Sequence, residues 1–190
     1  ESGCEWGCFD YSQQEPRLVV HYASLDQDAS VFEVKNAYND GDADFHTIVA
    51  KMAQIPRTQA KTINLGLFYG MGKAKLQAEL GVSKDKAEEL FSIYHNRVPF
   101  VKTLMKSVSN RAQQRGQIRT LLGRLCRFHL WEPNQFGMHK ALPFEQAVQE
   151  HGPGIRRAYT YKALNKLIQG SAADMTKKSM LDLYKEGIVP

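Results

Sequence analysis

The chain has 190 residues, and its content of 43% hydrophobic and 24% charged residues is close to the average of globular proteins. This composition argues against a wholly disordered chain, and the length suits one large domain or two small ones. No apolar run approaches the roughly 18–20 residues that a membrane span requires. The three cysteines form no C-x-x-C pair, so we expect neither a disulfide framework nor a zinc ribbon, and a reducing intracellular compartment is favoured.

The charge is unevenly distributed along the chain. Residues 1–50 carry ten acidic and two basic side chains, whereas residues 51–190 carry ten acidic and 23 basic ones. A run of like charge is usually a solvated surface, but a long single-sign segment favours a polyanionic partner such as nucleic acid. No acidic residue occurs between Glu89 and Glu132, where the basic residues are Arg97, Lys102, Lys106, Arg111, Arg115, Arg119, Arg124 and Arg127.

The sequence pattern of the first part of the chain predicts short strands and a helix. Residues 6–10 are a short apolar run that ends in an acid, which predicts a buried strand with Asp10 at its end. We then expect a helix over residues 17–23, a turn over 24–30, a second short strand over 31–34 and a loop over 36–44.

From Phe45 onward the pattern is mainly helical. Pro56 suits the start of a helix, and Gly70 and Gly72 suit its end. Residues 129–155 contain three prolines, three glycines and little periodicity, so we expect mostly loop there. Further helices are predicted over residues 84–96, 99–115 and 158–186.

The predicted helix after Pro56 carries a distinctive stripe. Arg57, Lys61, Leu65 and Tyr69 recur every four residues and therefore follow one slowly turning line on the helix surface. Two cations followed by an apolar and an aromatic side chain suit a nucleoside triphosphate, with the cations at the phosphates. An amphipathic surface helix whose cations reach into solvent explains the spacing equally well. The face that packs on the core would comprise Ile63, Leu67 and Phe68.

Asp10, at the end of the first predicted strand, is a candidate metal ligand. One carboxylate does not hold a divalent cation against water, and Mg²⁺ sites usually combine one or two carboxylates with substrate phosphates. Taken alone, Asp10 is more often a turn or helix-cap residue.

Four segments form a recognisable set when they are read in order. Residues 10–17 are D-Y-S-Q-Q-E-P-R, and residues 57–70 are R-T-Q-A-K-T-I-N-L-G-L-F-Y-G. Residues 120–124 are T-L-L-G-R, and residues 165–174 are N-K-L-I-Q-G-S-A-A-D. The first two resemble motif A (D-Y-S-Q-I-E-L-R) and motif B (R-x-x-x-K-x-x-N-F-G-x-x-Y-G) of family A DNA polymerases, the bacterial DNA polymerase I group and its phage relatives. The other two resemble the family's T-L-x-G-R and N-x-x-x-Q-G-S/T-A-A-D.

The resemblance implies a predominantly helical α+β fold that corresponds to the palm and fingers of a right-hand nucleotide polymerase. It assigns residues 1–35 to the palm, 36–157 to the fingers and 158–190 to a palm helix. The family's later motif C, H-D-E, and a thumb do not occur before Pro190, so we expect a fragment that is inactive alone. The implied activity of the intact enzyme is template-directed, 5′–3′ addition of deoxynucleotides to a primer 3′-OH by two-metal-ion catalysis.

The resemblance also implies roles at the catalytic centre. Asp10 would bind both Mg²⁺ ions, with the main-chain carbonyl of Tyr11 as a further ligand. Lys61 would hold the triphosphate and donate a proton to the leaving pyrophosphate.

The incoming nucleotide would meet residues of motifs A and B and one histidine between them. Glu15 would close over the sugar 2′ position and exclude ribonucleotides. His46 would lie near the β-phosphate, with a helix-start histidine that binds no ligand as the alternative. The implied nucleotide-binding residues are Gln13, Glu15, His46, Arg57, Lys61, Leu65 and Tyr69.

Primer–template contacts are implied for Arg124, Asn165 and Gln169, the last two from the minor-groove side. The implied partners are therefore a DNA primer–template and deoxynucleoside triphosphates, with no membrane, in the cytoplasm of a cell or of a viral host. Leu65 departs from the aromatic residue usual in motif B, which removes aromatic packing against the sugar and base. The long 129–155 segment hints at a phage or viral origin.

Two other functions compete with this interpretation. A single-subunit RNA polymerase shares the motif A aspartate and the motif B Arg, Lys and Tyr, but Glu15 would obstruct a ribose 2′-OH. A basic helical module that binds nucleic acid without catalysis would need neither Asp10 nor the stripe that begins at Arg57.

Overall fold

The computed structural model describes residues 7–26, 29–41, 44–68, 71–135 and 137–188. The chain in these ranges is mainly helical, with short antiparallel strands confined to residues 117–157. The helices there are α1 (Gln14–Leu25), α2 (Phe32–Asn39), α3 (Phe45–Ala53), α4 (Arg57–Phe68), α5 (Lys73–Leu80), α6 (Lys84–Arg97), α7 (Pro99–Arg115), α8 (Phe144–His151) and α9 (Ala163–Lys185). The strands are β1 (Gln117–Arg119), β2 (Leu125–Arg127), β3 (Leu130–Pro133), β4 (Leu142–Pro143) and β5 (Ile155–Arg157).

The helix ends follow the capping rules. Ser83 accepts a hydrogen bond from the backbone N–H of Lys86 at 3.2 Å and so caps α6. Pro99 is the first residue of α7, and Gly116 ends that helix at φ 67°, a left-handed conformation that favours glycine. These signals explain why the predicted helices over 84–96 and 99–115 are confirmed almost to the residue.

One apolar core joins α1, α3, α4, α6, α7 and α9. Its centre excludes solvent, because side chains from six different helices are entirely or almost entirely buried. These side chains include Val19, Phe45, Ile63, Tyr94, Phe100 and Ile168. Burial of each large apolar side chain stabilises the fold by about 1.5–3 kcal/mol, so the core holds the site-bearing helices in fixed positions.

The strands form two small antiparallel sheets. β1 and β2 make a hairpin, and β3 lies between β4 and β5. Arg157 on β5 attaches the second sheet to α7 through its Nε, which donates to the carbonyl of Gln113 at 3.2 Å. Its guanidinium also stacks over Trp131 at 4.5 Å from the ring centroid.

Several expectations about local structure are wrong. Residues 7–10 form no strand, because no partner strand lies beside them in the described part of the chain; Trp6 falls outside that part. The segment 31–34 is helical, and its two buried valines, Val31 and Val34, have the three-residue spacing of a helix face. Residues 36–39 end α2 instead of forming a loop.

The segment 129–155 is also more regular than expected, since it contains β3, β4 and α8. Strands of two to four residues are too short to produce a recognisable alternation. The last helix begins at Ala163, later than expected, after a 3₁₀ turn over Thr160–Lys162. The predicted fold class, a predominantly helical α+β fold, is confirmed. Among the described residues, no helix is both long enough and apolar enough to cross a membrane.

Candidate functional site

The α3–α4 corner is organised by one carboxylate, that of Asp44. Asp44 caps α3 by accepting from the backbone N–H of His46 at 3.2 Å and from the Thr47 hydroxyl at 2.6 Å. Its Oδ2 also accepts from Nε of Arg57, the first residue of α4, at 2.6 Å. A single side chain therefore fixes the start of α3 against the start of α4.

These contacts also set the charge of Asp44. Partial burial opposes its ionisation, but hydrogen bonds from Thr47 and Arg57 and the charge of Arg57 outweigh burial and lower the pKa of Asp44 to about 2. Asp44 is thus an anion at any physiological pH. Arg57 uses Nε for Asp44 and Thr47, so its two terminal amino groups are the donors that a phosphate could engage.

His46 is the second residue of α3 and is 9% exposed. Its Nδ1 is 3.0 Å from Nδ2 of Asn64 on α4, and the Tyr94 hydroxyl on α6 donates to Oδ1 of Asn64 at 2.6 Å. Burial lowers the pKa of His46 below its usual value, Arg57 and Lys61 act in the same direction, and Asp44 opposes them. His46, Arg57 and Lys61 are therefore close enough to influence one another.

The stripe predicted on α4 is an exposed surface for the members that the structure describes. Arg57 and Lys61 are exposed and Leu65 is half-buried, whereas Ile63, on the other side of the helix, and Asn64, at the edge of the stripe, are fully buried. Leu65 lines an open cavity of about 400 Å³ between α4 and α5. Tyr69 and the side chains of residues 67 and 68 lie outside the described residues, so their predicted roles stay predictions.

Gln13 connects motif A to this corner. It adopts a left-handed conformation, φ 53°, immediately before α1. Its Oε1 accepts from the backbone N–H of Phe45 at 2.7 Å and from the Tyr38 hydroxyl at 3.0 Å. The carbonyl end of the Gln13 amide thus holds the start of α3 beside the start of α1. Glu15 follows in the first turn of α1 and is half-buried.

Asp10 and Tyr11 lie in a different place, against the C-terminal half of α9. Asp10 is exposed and lines a cavity of about 460 Å³ together with Phe9, Tyr11 and residues 176–183 of α9. The Tyr11 hydroxyl hydrogen-bonds the Ser179 hydroxyl. Nε2 of Gln14 donates to the carbonyl of Ala172 at 3.2 Å. The side chains of Tyr11 and of Gln14, the first residue of α1, therefore attach this irregular segment to α9.

Asp10 and Tyr11 offer donor atoms that suit a metal ion, but the described residues do not form a complete metal site. The carboxylate of Asp10 and the carbonyl of Tyr11 are the hard oxygen donors that divalent cations such as Mg²⁺ prefer. Within the described ranges, no three His, Cys, Asp or Glu side chains cluster closely enough to hold a metal ion. The donors present fit a cation that takes its remaining ligands from water, from phosphate or from other carboxylates.

A third group surrounds Arg124, at the turn between β1 and β2. Nε of Arg124 donates to Oδ1 of Asp174 at 2.8 Å, and Nη2 donates to the carbonyl of Gly170 at 2.7 Å. The Thr120 hydroxyl hydrogen-bonds Oδ2 of Asp174. Burial opposes ionisation of Asp174, but the hydrogen bonds from Thr120 and Arg124 prevail and lower its pKa. Asp174 is thus an anion that orients Arg124.

Two glycines allow this turn to lie against α9. Gly123 has φ 86°, and its N–H bonds the carbonyl of Thr120 at 2.9 Å to close the turn. A Cβ on Gly170 would lie 2.7 Å from Cγ2 of Thr120, so only glycine permits this approach. Asn165, half-buried, and Gln169, exposed, lie one turn apart on the same helix.

The acid-free segment is a solvent-facing surface. All eight of its basic side chains are exposed. Among the described residues, Arg111 and Arg124 pair with carboxylates, those of Asp26 and Asp174. On α7 the basic residues do not share one face, since Lys102 and Lys106 lie opposite Arg111. Arg119 and Arg127 share a face of the β1–β2 hairpin, next to the turn that bears Arg124.

Sequence interpretation missed three residues that organise these sites: Asp44, Asn64 and Asp174. The signal for Asp44 is its place directly before an apolar helical run, where aspartate caps a helix. The signal for Asn64 is an amide on the otherwise apolar face of α4. Asp174 gives no such signal, because its partners Thr120 and Arg124 are about fifty residues away.

Comparisons with known proteins agree on one family. The model of "DNA polymerase family A" matches residues 1–187. A DNA-directed DNA polymerase of Pseudomonas phage M6 is 33% identical over 230 aligned residues, which cover 99% of this chain and 32% of that protein. DNA polymerase I of Bacillus caldotenax is 31% identical over 193 residues, which cover 96% of this chain and 19% of that protein.

A solved structure agrees with these relatives. The POL domain of Pol1 from M. smegmatis, in complex with DNA primer-template and dNTP, matches with a TM-score of 0.67 and 28% identity. The match covers 95% of this chain and 31% of that one. The chain thus spans about a third or less of the length of these relatives.

Proposed function

Since this chain belongs to DNA polymerase family A, we propose that it forms the nucleotide-binding part of a template-directed DNA polymerase. In that enzyme, deoxynucleotides are added to the 3′-OH of a primer. Residues 1–35 and 158–190 belong to the palm in this proposal, and residues 36–157 belong to the fingers. The phage and bacterial relatives support a location in the cytoplasm of a bacterium, which for a phage protein is the host.

One observation carries the proposal: Asp44 bonds both the N–H of His46 on α3 and Nε of Arg57 on α4, and Lys61 follows Arg57 one helical turn later. Two permanent cations lie one helical turn apart, and an imidazole lies between the helices. Such a spread of groups suits the several phosphates of a triphosphate chain better than it suits a single phosphate. In this assignment Arg57 holds phosphate oxygens through its terminal amino groups. Nζ of Lys61 binds the same chain and donates a proton to the leaving pyrophosphate.

The other nucleotide contacts follow from the surroundings of that corner. Glu15, in the first turn of α1, closes over the sugar 2′ position and excludes a hydroxyl there. Leu65 and Tyr69 face the sugar and base. Gln13 contributes by holding α1 against α3, since its Oε1 accepts from two intramolecular donors, and by direct contact with the nucleotide.

Asp10 and the Tyr11 carbonyl would hold Mg²⁺ in the complete enzyme, and the bound metal would supply stabilisation of the negative charge on the reacting oxygens. Asp10 can serve in this way because it is exposed and ionisable, and because its cavity beside α9 leaves room for phosphate and water. The role of this chain at that point is to keep the carboxylate directed into the cavity through the Tyr11 and Gln14 contacts with α9.

The primer–template binds to the basic surface in this proposal. Arg124, held by Asp174, meets the backbone of the nucleic acid from the hairpin turn, and Asn165 and Gln169 meet the minor groove from α9. The neighbouring exposed cations Arg119 and Arg127 neutralise further phosphates.

Triphosphate binding tests the nucleotide site. Lys61→Ala is expected to weaken binding of a fluorescent dNTP to this chain by about tenfold or more, because a charge-assisted hydrogen bond is lost. Fluorescence anisotropy measures the affinity, with inorganic tripolyphosphate as a competitor. Lys84→Ala, an exposed lysine at the start of α6, is the matched control. Equal loss in both variants would contradict a defined site on α4.

Salt dependence tests the nucleic-acid surface. The logarithm of the association constant for duplex DNA should fall with the logarithm of salt concentration, with a slope of about −0.9 for each phosphate neutralised. Arg127→Gln should reduce the magnitude of that slope by about 1, whereas Lys84→Gln should leave it unchanged. Salt-independent binding, or no binding at low salt, would contradict the assignment.

A further inference from the structure

Three polar side chains from three helices form a line through the core beneath the α3–α4 corner. Tyr94 and Asn64 are fully buried, and His46 is 9% exposed. The Tyr94 hydroxyl is 2.6 Å from Oδ1 of Asn64, and Nδ2 of Asn64 is 3.0 Å from Nδ1 of His46. A buried amide is costly unless both of its ends are bonded, and here both ends are.

The chemistry of these groups determines which of them donates and which accepts in each hydrogen bond of the line. A carbonyl oxygen accepts, so the Tyr94 hydroxyl donates to Asn64. An amide nitrogen donates, so Nδ1 of His46 accepts and carries no proton. The neutral ring then has its proton on Nε2, the nitrogen directed away from Asn64.

The reverse direction is disfavoured by the same residues. A proton on Nδ1 of His46 would require the Asn64 amide to turn over, so that Nδ2 faces the Tyr94 oxygen. The Tyr94 hydroxyl would then lose its acceptor, since the described part of the chain offers this buried hydroxyl no other. An unsatisfied buried donor is costly, so Tyr94 opposes protonation of a ring that it does not touch.

Nearby charges act on the same ring. Arg57 and Lys61 on α4 disfavour a positive imidazolium, and Asp44 before α3 favours it. Burial adds to the effect of the two cations and lowers the pKa of His46. The electrostatics and the hydrogen-bond direction therefore agree on a neutral ring.

We infer that Tyr94 and Asn64 are positioning residues that hold His46 as the neutral Nε2–H tautomer, so that the ring meets a triphosphate as a fixed hydrogen-bond donor and not as a cation. The contact with a triphosphate rests on the proposed function, whereas the protonation state of the ring does not. In this arrangement Arg57 and Lys61 supply the positive charge, and His46 supplies a hydrogen-bond donor in a fixed orientation.

The test reads the imidazole directly. Nitrogen-15 NMR of the unliganded chain, labelled at histidine, distinguishes a protonated ring nitrogen from a bare one. We expect a neutral ring at pH 7 with the proton on Nε2. A proton on Nδ1, or a doubly protonated ring at pH 7, would overturn the inference even if no variant could be made.

A variant then isolates the role of the tyrosine. Tyr94→Phe removes the hydroxyl and keeps the ring, so the Asn64 amide becomes free to turn. We expect His46 to bind a proton about 5- to 100-fold more tightly, seen as a higher NMR titration midpoint. An unchanged tautomer and midpoint in a folded Tyr94→Phe protein would overturn the inference.

Tyr22→Phe is the matched control. The Tyr22 hydroxyl bonds the Ser171 hydroxyl at 2.8 Å, between α1 and α9, so its loss removes an internal tyrosine hydrogen bond away from His46. It should leave the His46 titration unchanged. Titration with a nonhydrolysable dNTP is a separate measurement. Absence of triphosphate binding would contradict the proposed function, whereas the protonation state of His46 would still be decided by the NMR measurement.

Discussion

The α3–α4 corner and the segment around Asp10 are both assigned to one catalytic site, yet they are built in opposite ways. At the corner, Asp44 alone makes three hydrogen bonds, and the line from Tyr94 to His46 runs through the dry core. Asp10, in contrast, is exposed in an irregular stretch that the side chains of Tyr11 and Gln14 attach to α9.

The difference agrees with what each region is proposed to bind. A triphosphate is recognised by several donors at fixed separations, so the protein gains from holding those donors in place before the ligand arrives. A hard cation takes water and phosphate as ligands and fixes a carboxylate itself when it binds. In this proposal the first region is preorganised by its own side chains, and the second region would be completed by its ligands.

The largest effect that this contrast predicts lies at Asp10. In a polymerase that contains this segment, Asp10→Asn should lower the rate of nucleotide incorporation by about 10³-fold, because a metal-binding carboxylate supplies several kcal/mol of transition-state stabilisation. The free energy of unfolding should barely change, since Asp10 is exposed and lies outside any helix. Single-turnover primer extension and urea denaturation measure the two quantities.

Asp85→Asn, on the exposed first turn of α6, is the control and should retain normal extension. The 190-residue chain alone should extend no primer, because its described residues provide no cluster of acidic side chains around Asp10. Robust extension by the chain alone, abolished by Asp10→Asn, would show that the catalytic carboxylates are already assembled.

The contrast also explains which parts of the molecule could be predicted from its sequence. The helices over Lys84–Arg97 and Pro99–Arg115 were predictable because their ends carry local signals, the Ser83 cap, Pro99 and Gly116. The expectation of a strand over residues 6–10 was wrong for residues 7–10, which the structure describes. A strand depends on a partner strand, and a local pattern does not reveal whether one is present.

The candidate site shows the same division. The exposed stripe of Arg57, Lys61 and Leu65 follows from helical spacing alone. The bond from Asp174 to Arg124 joins residues 50 positions apart, and the bond from Tyr94 to Asn64 joins residues 30 positions apart. Such pairs are set by how the helices pack, which no local periodicity encodes.

A smaller effect is expected from the pH dependence of the α3–α4 corner. The pKa of Asp44 is lowered from 3.8 to about 2, so its ionised form stabilises the folded state. This contribution is fully present above about pH 4 and is lost as the pH falls through about 2. Its size is at most about 2 kcal/mol, and salt screening reduces it. Asp44→Asn, which can still cap α3, should remove this pH-dependent part.

Urea denaturation between pH 2 and pH 5 measures the effect. The difference in unfolding free energy between the native chain and Asp44→Asn should shrink as the solution becomes more acidic. Asp40→Asn, at the exposed end of α2, should show no such convergence. A constant difference across the range would mean that the bonds around Asp44 owe their stability to geometry and not to its charge.

The smallest predicted effect compares two tyrosines that both bond a serine on α9. Tyr22 makes its bond with Ser171 in a partly buried setting, and Tyr11 makes its bond with Ser179 at the surface, beside Asp10. Because water replaces a lost bond at the surface but not in the interior, Tyr22→Phe should lower the free energy of unfolding by about 1 kcal/mol and Tyr11→Phe by less than about 0.5 kcal/mol. Urea denaturation of the two variants measures the difference. If Tyr11→Phe were the more damaging, the segment that carries Asp10 would be as firmly built as the α3–α4 corner, and its carboxylate would be held in place before any metal binds.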